Sequence, residues 1–117
     1  MRLWVLALFL GVPLLAACDP GIGITFENRT DSLICVNPRE TDEGPTGPCD
    51  EIEPRETVTY GMLCRSDDEE SVVLTDGVGG AVIYRRTATC GEWEDSGATI
   101  TIDWDGDNFV VTDSFSD

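Results

Sequence analysis

The chain has 117 residues, 23 of them acidic and 7 basic, and a formal net charge of −16. The basic residues are all Arg, and there is no His and no Lys. That composition excludes Ser-His-Asp and Cys-His catalysis, Ser-Lys dyads, Schiff bases and His-ligated metals, and it argues against nucleic acid as a partner, because phosphate contacts need basic side chains.

Residues 1–17 have the three parts of an export signal. Arg2 is the lone early charge. An apolar run over residues 3–15 follows, broken by Gly11 and Pro13, and the small Ala16 and Ala17 precede Cys18. The run is shorter than the roughly 20 residues that cross a bilayer as a helix. Asp19-Pro20-Gly21 then ends any helix at once, since Pro lacks the N–H and Gly favours turns. Leu15-Ala16-Ala17-Cys18 resembles the lipobox of bacterial lipoproteins. The resemblance implies cleavage between Ala17 and Cys18, a diacylglyceryl thioether on Cys18 and an acylated new N-terminus. One acyl chain binds a membrane only marginally, whereas two or more hold it stably. The expected location is the cell membrane, lipid-anchored, on the extracytoplasmic side.

Loss of residues 1–17 leaves 100 residues, one domain's worth. Arg2 leaves too, so six Arg face 23 acids, a balance of −17. The expected division is a tether at 18–21, a domain at 22–113 and a frayed tail at 114–117. The tether reaches only about 14 Å at 3.3–3.6 Å per residue. An acidic domain that close to anionic lipid should turn its least acidic face toward it.

Ile22, Ile24 and Phe26 alternate on one face of a first strand at 22–27. Asn28-Arg29-Thr30-Asp31 is a turn, and a second strand covers 32–36. Residues 37–56 hold Pro38, Pro45, Pro48 and Pro54 in a long loop that also contains Cys49. Loops this long tend to be functional. A third strand at 57–64 carries Val58, Tyr60, Met62 and Cys64 on one face. Residues 71–75 and 81–85 flank Asp76-Gly77-Val78-Gly79-Gly80, a strong hairpin signal. Residues 89–96 fit one helical turn with Thr89 as cap. Ala98, Ile100, Ile102 and Trp104 alternate in the sixth strand, and Asp105-Gly106-Asp107 turns it into a seventh at 108–112.

Seven short strands with almost no helix predict an all-β chain, a single antiparallel β-sandwich. From the second strand onward, the order of a strand, a long loop, a strand and a Val-Val-Leu-Thr-Asp-Gly hairpin resembles the small immunoglobulin-like or transthyretin-like modules of bacterial surfaces. The chain departs from true immunoglobulin domains in lacking the buried Trp between paired Cys, and a shared fold does not confer function.

With Cys18 lipidated, Cys35, Cys49, Cys64 and Cys90 remain. In an oxidising compartment an even count implies two disulfides. Of three pairings, Cys35–Cys49 and Cys64–Cys90 are favoured: one closes the Pro-rich loop, the other ties the third strand to the end of the fifth. The absence of a Cys-x-x-Cys knuckle weighs against a four-Cys zinc site.

The remaining candidates are carboxylates. Asp103, Asp105 and Asp107 alternate around Gly106 and offer hard oxygen ligands suited to Ca²⁺, although a hairpin turn accounts for the same residues. The run from Asp67 to Glu70 gets the same two readings. Glu51/Glu53 and Glu92/Glu94 are the pairs a carboxylate hydrolase would use, but no aromatic cluster accompanies them. Arg39 and Arg55 bracket the long loop, which makes it the expected contact surface, and Trp93 beside its acids is a candidate anchor. The expected function is a non-catalytic envelope lipoprotein that needs no cofactor and that binds or supports another envelope protein. The alternatives are a Ca²⁺-dependent binding module at 103–108 and a carboxylate hydrolase.

Overall fold

The structure, a computed structural model, describes residues 21–41, 44–46 and 48–115. Leu15, Ala16, Ala17 and Cys18 lie outside the described residues, as do 116 and 117. In β1 (Gly21–Asn28) the expected alternation holds, with Ile24, Phe26 and Asn28 buried. It is followed by β2 (Ile34–Val36), β3 (Arg39–Thr41), β4 (Gly44–Thr46), β5 (Asp50–Ile52) and β6 (Thr57–Leu63). Then come β7 (Glu69–Asp76), β8 (Val82–Thr89), a seven-residue helix α1 (Cys90–Ser96), β9 (Thr99–Trp104) and β10 (Phe109–Asp113).

Eight strands form two four-stranded sheets, ordered β10-β9-β1-β6 and β5-β2-β7-β8, while β3 and β4 make a separate two-stranded ribbon. Ile24, Phe26, Ile100 and Ile102 of the first sheet join Ile34, Val36, Ile52, Val72 and Leu74 of the second in one hydrophobic cluster. The all-β expectation holds, with two corrections. The long loop contributes an eighth strand, β5, because Ile52 is fully buried and pairs with Ile34. The pairing is not wholly antiparallel either: β9 runs parallel to β1, with Thr25 opposite Thr99 and Asn28 opposite Ile102. The chain leaves β8, passes through α1 and re-enters beside β1 instead of hairpinning back, and only a crossover of that kind can make parallel neighbours.

Helix α1 starts where the sequence placed its cap. The Thr89 hydroxyl accepts from the Glu92 amide at 3.1 Å, and the Glu92 carboxylate accepts from the Thr89 amide at 2.8 Å. This reciprocal pair satisfies two amides that a helix start otherwise leaves open. Gly97, at φ 97°, ends the helix in the left-handed conformation. In the β7–β8 hairpin, a Cβ on Gly80 would sit 1.8 Å from the Asp76 carbonyl oxygen, so no other residue fits there.

Both disulfides are present in the favoured pairing, Cys35–Cys49 and Cys64–Cys90. Of the expected tail, residues 114 and 115 are described. The Ser114 amide donates to the Thr99 carbonyl at 2.9 Å, and its hydroxyl accepts from the Thr99 amide at 3.0 Å. Phe115 packs edge-on against Trp93 at 4.9 Å, with the Arg86 guanidinium over its ring at 3.8 Å. Those contacts dock 114 and 115 onto the fold.

Asn28 fastens the β1–β2 turn from inside. It is 1% exposed. Its Nδ2 donates to the carbonyls of Ser32 (2.8 Å), Glu53 (3.1 Å) and Ile52 (3.4 Å). Its Oδ1 accepts from the Thr30 amide at 3.0 Å and the Thr30 hydroxyl at 2.7 Å. Asn28→Ala would strand several buried polar groups, each costing about 1–3 kcal/mol. The expected loss is about 3 kcal/mol, read as a lower urea midpoint with an unchanged m-value.

The end of the fold where β1 begins is acidic. Gly21 pairs with Leu63, and the loop beyond Leu63 carries the exposed Asp67 and Asp68.

Candidate functional site: an aromatic ridge beside a charged depression

The opposite end of β1 carries the most developed surface feature. β1 stops at Asn28, opposite Ile102, and β9 runs on two residues to Trp104. There β9 has only β10 beside it, with Trp104 opposite Phe109. The indole is consequently 51% exposed. It meets Phe109 edge to face, centroids 5.0 Å apart and planes at 76°.

Beside this pair lies a depression of about 450 Å³. The β1–β2 turn supplies Arg29 and Asp31, and the turn before β6 supplies Arg55. Glu53-Pro54-Arg55-Glu56 closes with a Glu56 amide to Glu53 carbonyl bond of 3.2 Å. Pro54 pre-sets the first central position, and Arg55 takes the left-handed one at φ 64°. The Arg55 amide donates to the Thr30 carbonyl at 3.2 Å, and its Nε lies 2.9 Å from an Asp31 carboxylate oxygen. Arg29 reaches Glu27 at 3.1 Å and Asp103 at 3.9 Å. Asp76, from the end of β7, lines the far wall. A second depression of about 360 Å³ adjoins the first, sharing Asp76, Trp104 and Phe109 with it and extending to Ile83 and Asn108.

No protein family, curated protein or solved structure matches this chain.

The residues singled out in the sequence scatter. Arg55 lines the depression, whereas Arg39 sits on β3 in the separate ribbon. Trp93 is not a surface anchor: it is 0% exposed, and its Nε1 donates to the Glu70 carbonyl at 3.1 Å. The exposed indole is Trp104, which the alternation with Ile100 and Ile102 had placed with the core. Its position past the end of β1 is the reason, and no sequence signal marks where a neighbouring strand stops.

Asp103, Asp105 and Asp107 do not converge as a cation cage. One Asp105 oxygen accepts from the amides of Asn108 (2.8 Å) and Asp107 (2.9 Å) and closes the hairpin turn. Those bonds, the Asn108 one first, hold its carboxyl below the ordinary value of 3.8. Asp103 leans instead toward Arg29. Among the described residues, the three-ligand group found is Cys64, Glu70 and Cys90. Both of its sulfurs are already joined in a disulfide, as are those of Cys35 and Cys49, so none of the cysteines among the described residues offers zinc a thiolate. Of the carboxylate pairs, Glu92 is committed to the α1 cap, while Glu51 in β5 and Glu53 just after it are exposed. Neither pair lines the depression at Trp104.

A smaller opening of about 160 Å³ lies between the sheets, with Asp50 and Tyr60 at its lining. Burial, followed by the charges of Asp50, Glu56 and Glu51, pushes the Tyr60 hydroxyl above its ordinary 10.0. No helix among the described residues is long and apolar enough to cross a membrane.

Proposed function

We propose that this chain is a lipid-anchored, extracytoplasmic binding module with no catalytic role, its two sheets packed as a β-sandwich and its anchor on Cys18. The cysteine inventory carries the reading. Four of the five cysteines are consumed in two disulfides, the form cysteines take in oxidising compartments. The fifth, Cys18, directly follows Leu15-Ala16-Ala17 after an export-type apolar run. The binding half of the reading is supported by the exposed Trp104 and the depression beside it, since exposed aromatics set in mixed polar surroundings are favoured contact points. Another envelope component is the partner this location implies.

The anchor is tested by expressing the chain in a bacterial host fed labelled palmitate. The expected product lacks residues 1–17, carries label and sediments with membranes. Cys18→Ser should lose both label and sedimentation. An intact mass showing an unmodified Cys18 thiol would overturn the anchored reading.

A further inference from the structure

We propose that the surface around Trp104 is a binding site for a neutral glycan chain. The proposal deepens the binding-module reading and rests on that part of it, not on the anchor.

Three features point to a sugar. The first is the platform. An edge-to-face contact with Phe109 covers at most one face of the Trp104 indole, and half the residue is open to solvent. A pyranose has an apolar face of C–H groups that suits a flat aromatic surface, and large aromatics gain most from such burial.

The second is the hydrogen-bonding rim. Sugar hydroxyls both donate and accept, so they need planar groups of both kinds at fixed positions. Arg55 is held by Asp31, and Arg29 lies between Glu27 and Asp103. Each guanidinium carries five donors and each carboxylate about four lone pairs. These pairs therefore retain free donors and acceptors that face solvent. The backbone beneath them is pinned by buried Asn28, which ties the turn bearing Arg29 to Ile52 at the end of β5 and to Glu53 at the start of the turn bearing Arg55.

The third is charge and shape. The two Arg that line the depression face three Asp, and each Arg is already ion-paired. That lining carries one more negative than positive charge, which disfavours a polyanion, and a lipid tail would require a contiguous apolar trough. A neutral, hydroxyl-rich ligand fits what remains. The depression, at about 450 Å³, falls within the range of ligand sites. A second depression of about 360 Å³ adjoins it, sharing Asp76, Trp104 and Phe109, so the surface has room for more than one linked sugar beside the indole.

The test uses the purified full chain, ¹⁵N-labelled, in a detergent without a sugar headgroup. Chitopentaose, cellopentaose and mannopentaose are titrated separately, with hexa-arginine as a cationic control. The Trp104 indole N–H signal is expected to move with at least one sugar, while that of core-buried Trp93 stays fixed. Trp104→Ala should weaken binding by about tenfold or more, and Trp104→Tyr should keep most of it. Because Trp104 is half exposed, both variants should melt close to the parent. Absence of any shift with all three sugars, sugar binding untouched by Trp104→Ala, or binding of hexa-arginine alone would each overturn the proposal. The mass of the Cys18 adduct is read on the same sample, so loss of the anchor and loss of glycan binding are told apart.

Discussion

Replacing Cys64 and Cys90 together with alanine is expected to lower stability by about 3–4 kcal/mol, and the Cys35/Cys49 double replacement by about 3 kcal/mol. The difference follows from loop length, since the two bridges close separations of 26 and 14 residues. The longer loop has more freedom to lose in the unfolded chain. At about 4–8 °C per kcal/mol for a domain this size, the first pair should melt some 12 °C or more below the parent. Removing both bridges subtracts roughly 6–7 kcal/mol, against a total of about 5–14 kcal/mol for a domain of this length. The fully reduced protein should be largely unfolded at 37 °C. Thermal melts by circular dichroism with and without reductant check this. A reduced protein that melts like the oxidised one would show that the bridges do not carry the fold.

Trp93→Ala should cost about 3–5 kcal/mol. Trp93 has the largest fully buried side chain, joins residues of both sheets in the core cluster, and supports Phe115 at 4.9 Å. Its truncation also leaves the Glu70 carbonyl without the indole donor. Trp93→Phe should restore part of the packing and none of that hydrogen bond, so its cost should fall between parent and alanine. Urea unfolding of the three proteins gives the order directly. The same change at Trp104 should cost under about 1 kcal/mol, because its surroundings are solvent on one side. Opposite outcomes at the two tryptophans would invert the assignment of core and surface.

Strand positions were legible because period-two alternation is a local property. Ile24 and Phe26, Val58 and Tyr60, and Ile100 and Ile102 all turn the expected face inward. The α1 cap was legible for the same reason: Thr89 and its partner Glu92 sit three residues apart in the chain. The disulfides could be ranked because one closes the Pro-rich loop onto the strand it leaves and the other ties the third expected strand to the end of the fifth. What escaped was non-local. β5 is three residues long and owes its existence to pairing with β2. The parallel match of β9 to β1 depends on where a crossover lands. Trp93 did leave a trace, since it stands three residues after Cys90, and i, i+3 positions share a helix face. A bonded Cys90 fixes that face as the inner one. Trp104 left none, because its exposure depends on the last residue of another strand.

The polarity of β1 has a consequence for how the molecule would stand. Its eight residues run roughly 23 Å at about 3.3 Å per step, from Gly21 beside the acidic loop to Asn28 beneath the aromatic ridge. A domain tethered at Cys18 would have negative charge at its foot, pushed away by anionic headgroups within about a Debye length. Under the proposed anchor, repulsion below and a short leash would favour an upright posture, with the indole held outward, beyond the reach of the lipid.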